Sequence, residues 1–280
     1  MTGPAEWALL AAVERSPQAA AAHDRAGWVG LFTTDGRIED PVGSWPHVGP
    51  VEIGHFYDTF IGPRDVVFQR DLDIVRGSAV IRDLDLEVAM GSALTMTIPA
   101  FLRYDLREVN GEWKIATLRA YWELPAMMLQ FLRNGAPAVP ATIQLSQGLI
   151  RNQRLRGTAG FAAGFRRVGS RHKKLVDTFV NSIGAGDELT AQRTLSSDAA
   201  ITFGDDDAAD VADLVARCRG GSAPKVIAAG CTVAASVTSA QGRGVLFADV
   251  ARPGNKRGNE IRRIRYFPAS STSEAADSPK

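Results

Sequence analysis

The hydrophobic period changes once, near residue 65, and that change decides what the first half of the chain can fold into. Before it, apolar residues recur at helical spacing, and Ile53, Phe56, Tyr57 and Phe60 share one helix face. After it, they alternate. Val66, Phe68, Leu72 and Ile74 suggest a strand, and Val80, Leu84, Leu86 and Val88 mark one face of the next, with Arg82 the exception. A third strand is expected over 94–104. Asn110-Gly111 is a strong hairpin signal, and a last strand runs from Trp113 to Trp122. Helices followed by consecutive strands give the α+β class, with a curved antiparallel sheet.

The helical part begins early. Residues 4–33 read as helix, and Ser16-Pro17 sets a good N-cap before a proline at the first helical position, so a break or restart is expected there. Asp24 can cap the turns that carry Trp28, Leu31 and Phe32. Pro50 opens a second helix and Gly62-Pro63 stops it. Between the two lies Ile38-Glu39-Asp40-Pro41-Val42-Gly43-Ser44-Trp45-Pro46. Here a short apolar strand ends in a carboxylate, and Pro41 and Gly43 turn the chain at once. A rigid turn that aims Asp40 from the mouth of a strand is how a general base is presented to a cleft. The same residues also suit an ordinary turn-capping aspartate.

With 280 residues the chain has room for two domains. From about His172 the first pattern repeats. Leu175, Phe179, Val180 and Ile183 make a helix, and Asp198–Phe203 takes the place of Asp35–Asp40, so Phe203 stands where Asp40 stood. A helix over Val211–Cys218 follows, then strands over 226–237, 244–250 and 260–267. The expected division is a first domain over 1–134, a linker with a basic helix over 135–170, a degenerate second copy over 171–268, and a Ser-rich disordered tail over 269–280. Two such copies are expected to pair as an internal pseudo-dimer, with a homodimer as a further alternative.

Composition removes several classes. The net charge is +1, so no global field selects nucleic acid. Cys218 and Cys231 are the two cysteines, too few for a disulfide framework. The histidines are scattered, Asp83-x-Asp85-x-Glu87 is a weak ligand set, and no glycine-rich cradle follows a strand, so neither metal nor cofactor is expected. The start lacks the order of a signal peptide, no apolar run reaches spanning length, and a cytoplasmic protein is expected. Arg151 to Lys174 carries eight Lys or Arg and no acid. That segment suits a membrane-surface contact, and suits a solvated linker helix better. All five tryptophans precede residue 123, which places small-molecule chemistry in the first half.

The stretch Glu39-Asp40-Pro41-Val42-Gly43, then Gly49, Ile53, Phe56-Tyr57, Leu102-Arg103-Tyr104 and Arg119-Ala120-Tyr121-Trp122, gives residues 5–133 a resemblance to the ketosteroid isomerase family. That family belongs to the NTF2-like superfamily, beside SnoaL-like polyketide cyclases and limonene-type epoxide hydrolases. The resemblance implies two tandem NTF2-like cones, each a curved sheet wrapped around helices. It implies Asp40 as the base that moves a proton on a small apolar ketone, a steroid, terpenoid or polyketide. Trp28, Phe56, Phe60, Met96, Ile98, Ala100, Leu118 and Trp122 would line the pocket. Ser16 and Ala100 stand where the family keeps the tyrosine and protonated aspartate that hold the oxyanion. Asp83 and Asp85, with Glu87, fall on the pocket face by the same alignment and join Asp40 as candidate catalytic groups; a one-residue slip would put them in solvent. His47 and His55 read as surface residues. The rival functions are an epoxide hydrolase or cyclase of the same fold, which would need Asp83 or Asp85 as its second acid, and a non-catalytic lipid- or steroid-binding protein.

Overall fold

The computed structural model describes residues 4–89, 95–127, 168–251 and 260–270. The chain divides into two compact units, the first from Met1–Asp71 and Gly77–Arg166, the second from Leu72–Arg76 and Arg167–Lys280. The expected linker lies outside the described residues except at 168–170, as do most of the basic segment and the tail from 271. Among the described residues no helix is long and apolar enough to cross a membrane.

The first sheet begins after two helices, α1 (Pro4–Ala21) and α2 (Arg25–Gly30). α1 runs through Pro17, where a restart was expected. Ser16 does not cap a new helix because its hydroxyl points inward and accepts a hydrogen bond from Trp28 Nε1 at 3.2 Å. Asp24 does cap α2, accepting from Gly27 N at 2.8 Å. The helical reading to residue 33 runs too far. Phe32 already opens β1 (Phe32–Glu39), followed by β2 (His47–Val48) and α3 (Gly49–Phe56), whose last turn widens into a π-helical turn over Tyr57–Ile61.

Four long strands complete the sheet: β3 (Val66–Arg76), whose residues from Leu72 on are grouped with the second unit, β4 (Ala79–Ala89), β5 (Thr95–Val109) and β6 (Glu112–Tyr121). Asn110 and Gly111 have φ of 53° and 82°, the left-handed pair that a tight hairpin needs. The sheet order is β2-β1-β6-β5-β4-β3. The expected antiparallel sheet is therefore mixed. β1 runs parallel to β6, with Ile38 opposite Leu118 and Glu39 opposite Arg119. Period-two reading finds strands but cannot give their direction, whereas a parallel pair needs a long crossover, here the rest of the unit. Trp28 anchors the helices inside this curve. It is buried and its ring contacts Phe32, Phe56 and Tyr57 at centroid distances of 5.1, 6.1 and 5.5 Å. Arg82, the exception on its apolar face, is buried and donates to Glu14 of α1 at 2.9 Å.

The second unit repeats this plan. α4 (Ser170–Ala185), α5 (Glu188–Gln192), β7 (Leu195–Phe203), β8 (Asp207–Ala209) and α6 (Val211–Cys218) precede β9 (Val226–Ala229), β10 (Thr232–Ser239), β11 (Gly242–Val250) and β12 (Ile261–Pro268). The strand expected over 226–237 is in fact two, split by a turn at Gly230 with φ of 55°. The sheet order, β8-β7-β12-β11-β10-β9, is that of the first unit, parallel pair included. The repeat extends to a side-chain pair. Arg119 donates to Asp105 at 2.6 Å, and Arg265, opposite Phe247 as Arg119 is opposite Arg103, donates to Asp249 at 3.0 Å. Both units are thus the same cone, a six-stranded mixed sheet around helices.

Two substitutions probe the two interiors. Ser16→Ala should leave the buried Trp28 indole N–H without its acceptor and lower stability by about 1–3 kcal/mol, read as a lower urea midpoint. A Cβ at Gly184 of α4 would stand 2.4 Å from the carbonyl oxygen of Gly221. Gly184→Ala should therefore cost about 1–3 kcal/mol through overpacking, in a transition assigned to the second unit by hydrogen exchange.

Candidate active site

Asp40 reaches the interior by strand alternation. Ile38 is fully buried in the parallel ladder, and Asp40, two residues on, shares its face. Glu39 points the other way, 3.4 Å from Arg37 and 3.7 Å from Arg119. The turn then fixes the carboxylate. The Asp40–Pro41 peptide is cis, Gly43 takes φ of 98°, Val42 N donates to Ala120 O at 2.8 Å, and Ser44 N donates to Pro41 O at 3.0 Å. Ala120 and Trp122 follow Leu118 on the inward face, so the indole meets the carboxylate. Trp122 Nε1 donates to Asp40 Oδ1 at 2.6 Å.

These groups border a cavity of about 110 Å³ that opens to solvent, with about 710 Å³ of empty space once the open mouth is included. One wall is Phe56, Phe60 and Ile61 from α3 and the π-helical turn. The other is Leu86 and Val88 of β4 with Met96 and Ile98 of β5. Arg64, Val66 and Met127 complete it. Asp40 and Arg64 are the charged residues among these lining residues. As a whole residue Asp40 is half-buried, but its carboxyl group lies among apolar side chains. Loss of hydration there pushes its pKa up to about 6, against the smaller opposing effect of the Trp122 hydrogen bond.

Of the residues expected to line the pocket, Phe56, Phe60, Met96, Ile98 and Trp122 do so. Trp28, Ala100 and Leu118 are buried but do not border the cavity. Trp28 sits behind it, stacked on Phe56, and Ala100 pairs with Leu84 one step deeper than Ile98. Ser16 is turned to Trp28 and is likewise absent from the wall. The placement of Asp83 and Asp85 in the pocket needs correction. Leu86 and Val88 line the cavity, and alternation puts Asp83, Asp85 and Glu87 on the opposite face of β4. His47 is also not a solvated turn residue. It lies in β2 with its ring 5.3 Å from Phe56, and burial lowers its pKa. His55 is partly exposed and lies 3.9 Å from Glu52. Ile61, Arg64, Val66, Leu86, Val88 and Met127 were missed. Leu86 and Val88 were visible as an apolar stripe, but which side of the sheet faced the helices was not. Arg64 follows the Gly62-Pro63 stop, where no period carries information.

Residues 8–130 match the family model of the Nuclear transport factor 2 (NTF2) domain. Among solved structures, the chain is similar to the Δ5-3-ketosteroid isomerase from Mycobacterium sp., with 26% identity over 42% of this chain and 95% of that one and a TM-score of 0.39. It is similar to RV0760c from Mycobacterium tuberculosis, with 25% identity over 42% and 95% and a TM-score of 0.38. It is also similar to the epoxide hydrolase/cyclase-like enzyme SalBIII of pyran ring formation in the polyether salinomycin, with 21% identity over 43% and 94% and a TM-score of 0.39. No curated protein matches the chain in sequence. Residues 8–130, which hold Asp40 and the cavity, are thus the part of the chain that is similar to an NTF2 domain.

Proposed function

We propose that the first unit moves a proton on a small apolar ketone of steroid-like shape, with Asp40 as general base. The observation that carries this reading is the state of Asp40: a carboxylate at the wall of an apolar cavity, oriented by Trp122 at 2.6 Å and raised to a pKa of about 6. A carboxylate base is most effective when its pKa approaches the working pH. At neutral pH such a group is mostly ionised, yet far more basic than an ordinary aspartate with pKa 3.8. The apolar wall suits a hydrocarbon ring system and keeps water from competing for the enolate.

The chemistry balances without a cofactor. Asp40 takes a proton from the carbon beside the ketone, the C–H electron pair moves into the enolate, and Asp40 returns the proton at the conjugated carbon. Epoxide opening is the second reading within the same fold. It asks for two carboxyl groups in one cavity, and among the described lining residues Asp40 is the carboxylate present. A binding protein without turnover is the reading favoured by Ser16 and Ala100, which present no oxyanion donor to the cavity.

Incubation with 5-androstene-3,17-dione, followed by ultraviolet absorbance of the conjugated enone, tests the proposal. Turnover should fall at least about a thousandfold in Asp40→Asn. Absence of turnover in the native protein, with saturable steroid binding in both, would replace the enzyme reading by the binding one. The pH profile adds a signed expectation. Because the ionised form is the base, kcat should rise through pH about 6 and level off above it. Stability should move the opposite way. Folding raises this pKa from 3.8, so the fold disfavours the ionised form, and stability declines as pH rises between about 4 and about 6. Asp40→Asn should therefore melt at a higher temperature than the native protein above pH 6, and this advantage should fade as pH falls toward 4.

A further inference from the structure

Asp40 lies one residue beyond β1, so its aim depends on how the end of that strand is held. Its hydrogen bond from Trp122 is 2.6 Å long, and a displacement of about 1 Å at the strand end would break it. The ladder itself gives limited support. Its register shifts between Phe32 and Arg37, and beyond the shift the pairs are Arg37–Thr117, Ile38–Leu118 and Glu39–Arg119. Past Asp40 the chain is anchored again, where Val42 N donates to Ala120 O at 2.8 Å. Asp40 is therefore carried between two anchors, and the nearer is the Glu39–Arg119 pair.

That pair is part of a larger ionic set on the outer face of the sheet. Arg119 Nε lies 3.7 Å from Glu39 Oε2, and Arg119 Nη1 donates to Asp105 Oδ2 at 2.6 Å. Asp105 Oδ1 in turn accepts from Arg103 Nε at 2.8 Å and from Arg103 Nη2 at 2.7 Å. One guanidinium thus ties β1 to β5 across β6, a task that suits its planar fork. The side chains of Glu39, Arg119 and Asp105 are 19%, 32% and 27% exposed, so water and salt screen this set less than an open surface pair. The second unit keeps half of the arrangement. There Arg265 holds Asp249 at 3.0 Å, but its partner on β7 is Thr202, whose hydroxyl donates to Gly204 O at 2.8 Å. The residue after Thr202 is Phe203. The arginine–aspartate pair belongs to the shared fold, whereas the glutamate accompanies the unit that carries an aspartate in its turn.

We propose that Glu39, held by Arg119, is a positioning residue for Asp40: the clamp fixes the end of β1 from outside the sheet and so keeps the Asp40 carboxyl against Trp122 at the cavity wall. The assignment rests on Asp40 as the working group of the site proposed above, but not on which reaction it performs. Glu39 faces away from the cavity and acts on Asp40 through the backbone between them. A reactive group has to be held within about 0.5 Å of its productive place, which one short run of ladder pairs does poorly without support. An ordinary surface ion pair would add a little stability and leave Asp40 where it is.

The test follows the indole N–H resonance of Trp122 by NMR against pH, assigned with Trp122→Phe, beside ketosteroid turnover. In the native protein the resonance should titrate with Asp40, with a midpoint at about pH 6. Burial raises that pKa, so a loosened carboxyl that meets water should titrate lower. Glu39→Gln and Arg119→Gln should each move the midpoint down by about half a pH unit or more, toward the ordinary 3.8. Where turnover is present, kcat at pH 8 should fall about tenfold or more with KM nearly unchanged. The two variants separate positioning from a field effect. Loss of the Glu39 charge alone would lower the midpoint, but loss of the Arg119 charge alone would raise it. Arg119→Lys keeps the charge without the fork, should also move the midpoint down, and decides the matter if Arg119→Gln does not melt cooperatively. Arg107→Gln, which removes the exposed Arg107–Asp35 pair between the same strands, should leave the midpoint in place. Midpoints that move in opposite directions, midpoints that stay while the melting temperature falls, or a native resonance that does not titrate near pH 6 would overturn the inference. Midpoints that fall together, in a protein that does not isomerise the ketosteroid, would uphold this inference and sink the isomerase reading. Turnover with unmoved midpoints would do the reverse.

Discussion

The parallel ladder between β1 and β6 holds the site together. It joins the first strand of the unit to its last, and the long crossover it demands contains α3, β3, β4 and β5, the walls of the cavity. The same ladder brings Asp40 beside Trp122, 82 residues apart in sequence, and fixes the hydrogen bond between them. The buried carboxylate and its enclosure are thus consequences of one pairing. Were β1 to slip by a single residue, Glu39 would face the cavity and Asp40 would join Arg37 and Arg119 outside.

Much of this fold is legible in the sequence because its signals are local. The Asn110-Gly111 hairpin, the Asp24 cap, the proline that opens α3 and the glycine-proline pair that ends its extension each act within a few residues. The Asp40 turn is local too, which is why its carboxylate could be singled out. What could not be read is whatever depends on a distant partner. The direction of β1 is decided by β6. The inward face of β4 is decided by the helices it covers, so an apolar stripe at Leu86 and Val88 was consistent with either side, and Asp83 and Asp85 followed the wrong one. Ser16 looked like a helix start until Trp28, twelve residues on, claimed its hydroxyl.

The two units show how one scaffold takes two interiors. Their strand orders are the same, and the Arg119–Asp105 pair recurs as Arg265–Asp249. At the end of the parallel ladder they part. Where the first unit sets Asp40 near Ala120, with Trp122 beyond, the second sets Phe203 opposite Tyr266, with Pro268 beyond. The two rings lie 6.1 Å apart, and the Tyr266 hydroxyl hydrogen-bonds with Cys218, whose pKa burial pushes up to about 11. Carboxylate, small neighbour and indole donor have all been exchanged for side chains that pack. The two units share a fold and differ at the end of the ladder, and a shared fold does not by itself fix a function.

The late arrival of Trp122 has a consequence for the chain as it is made. Synthesis proceeds from the N-terminus, so Asp40 leaves the ribosome long before the residue that will bind it. Until β6 has emerged and paired, the wall that excludes water does not exist and Asp40 is an ordinary, hydrated acid. Its unusual basicity is therefore acquired at one moment, when the unit closes. A nascent or truncated chain that ends short of residue 122 carries the aspartate but not its raised pKa.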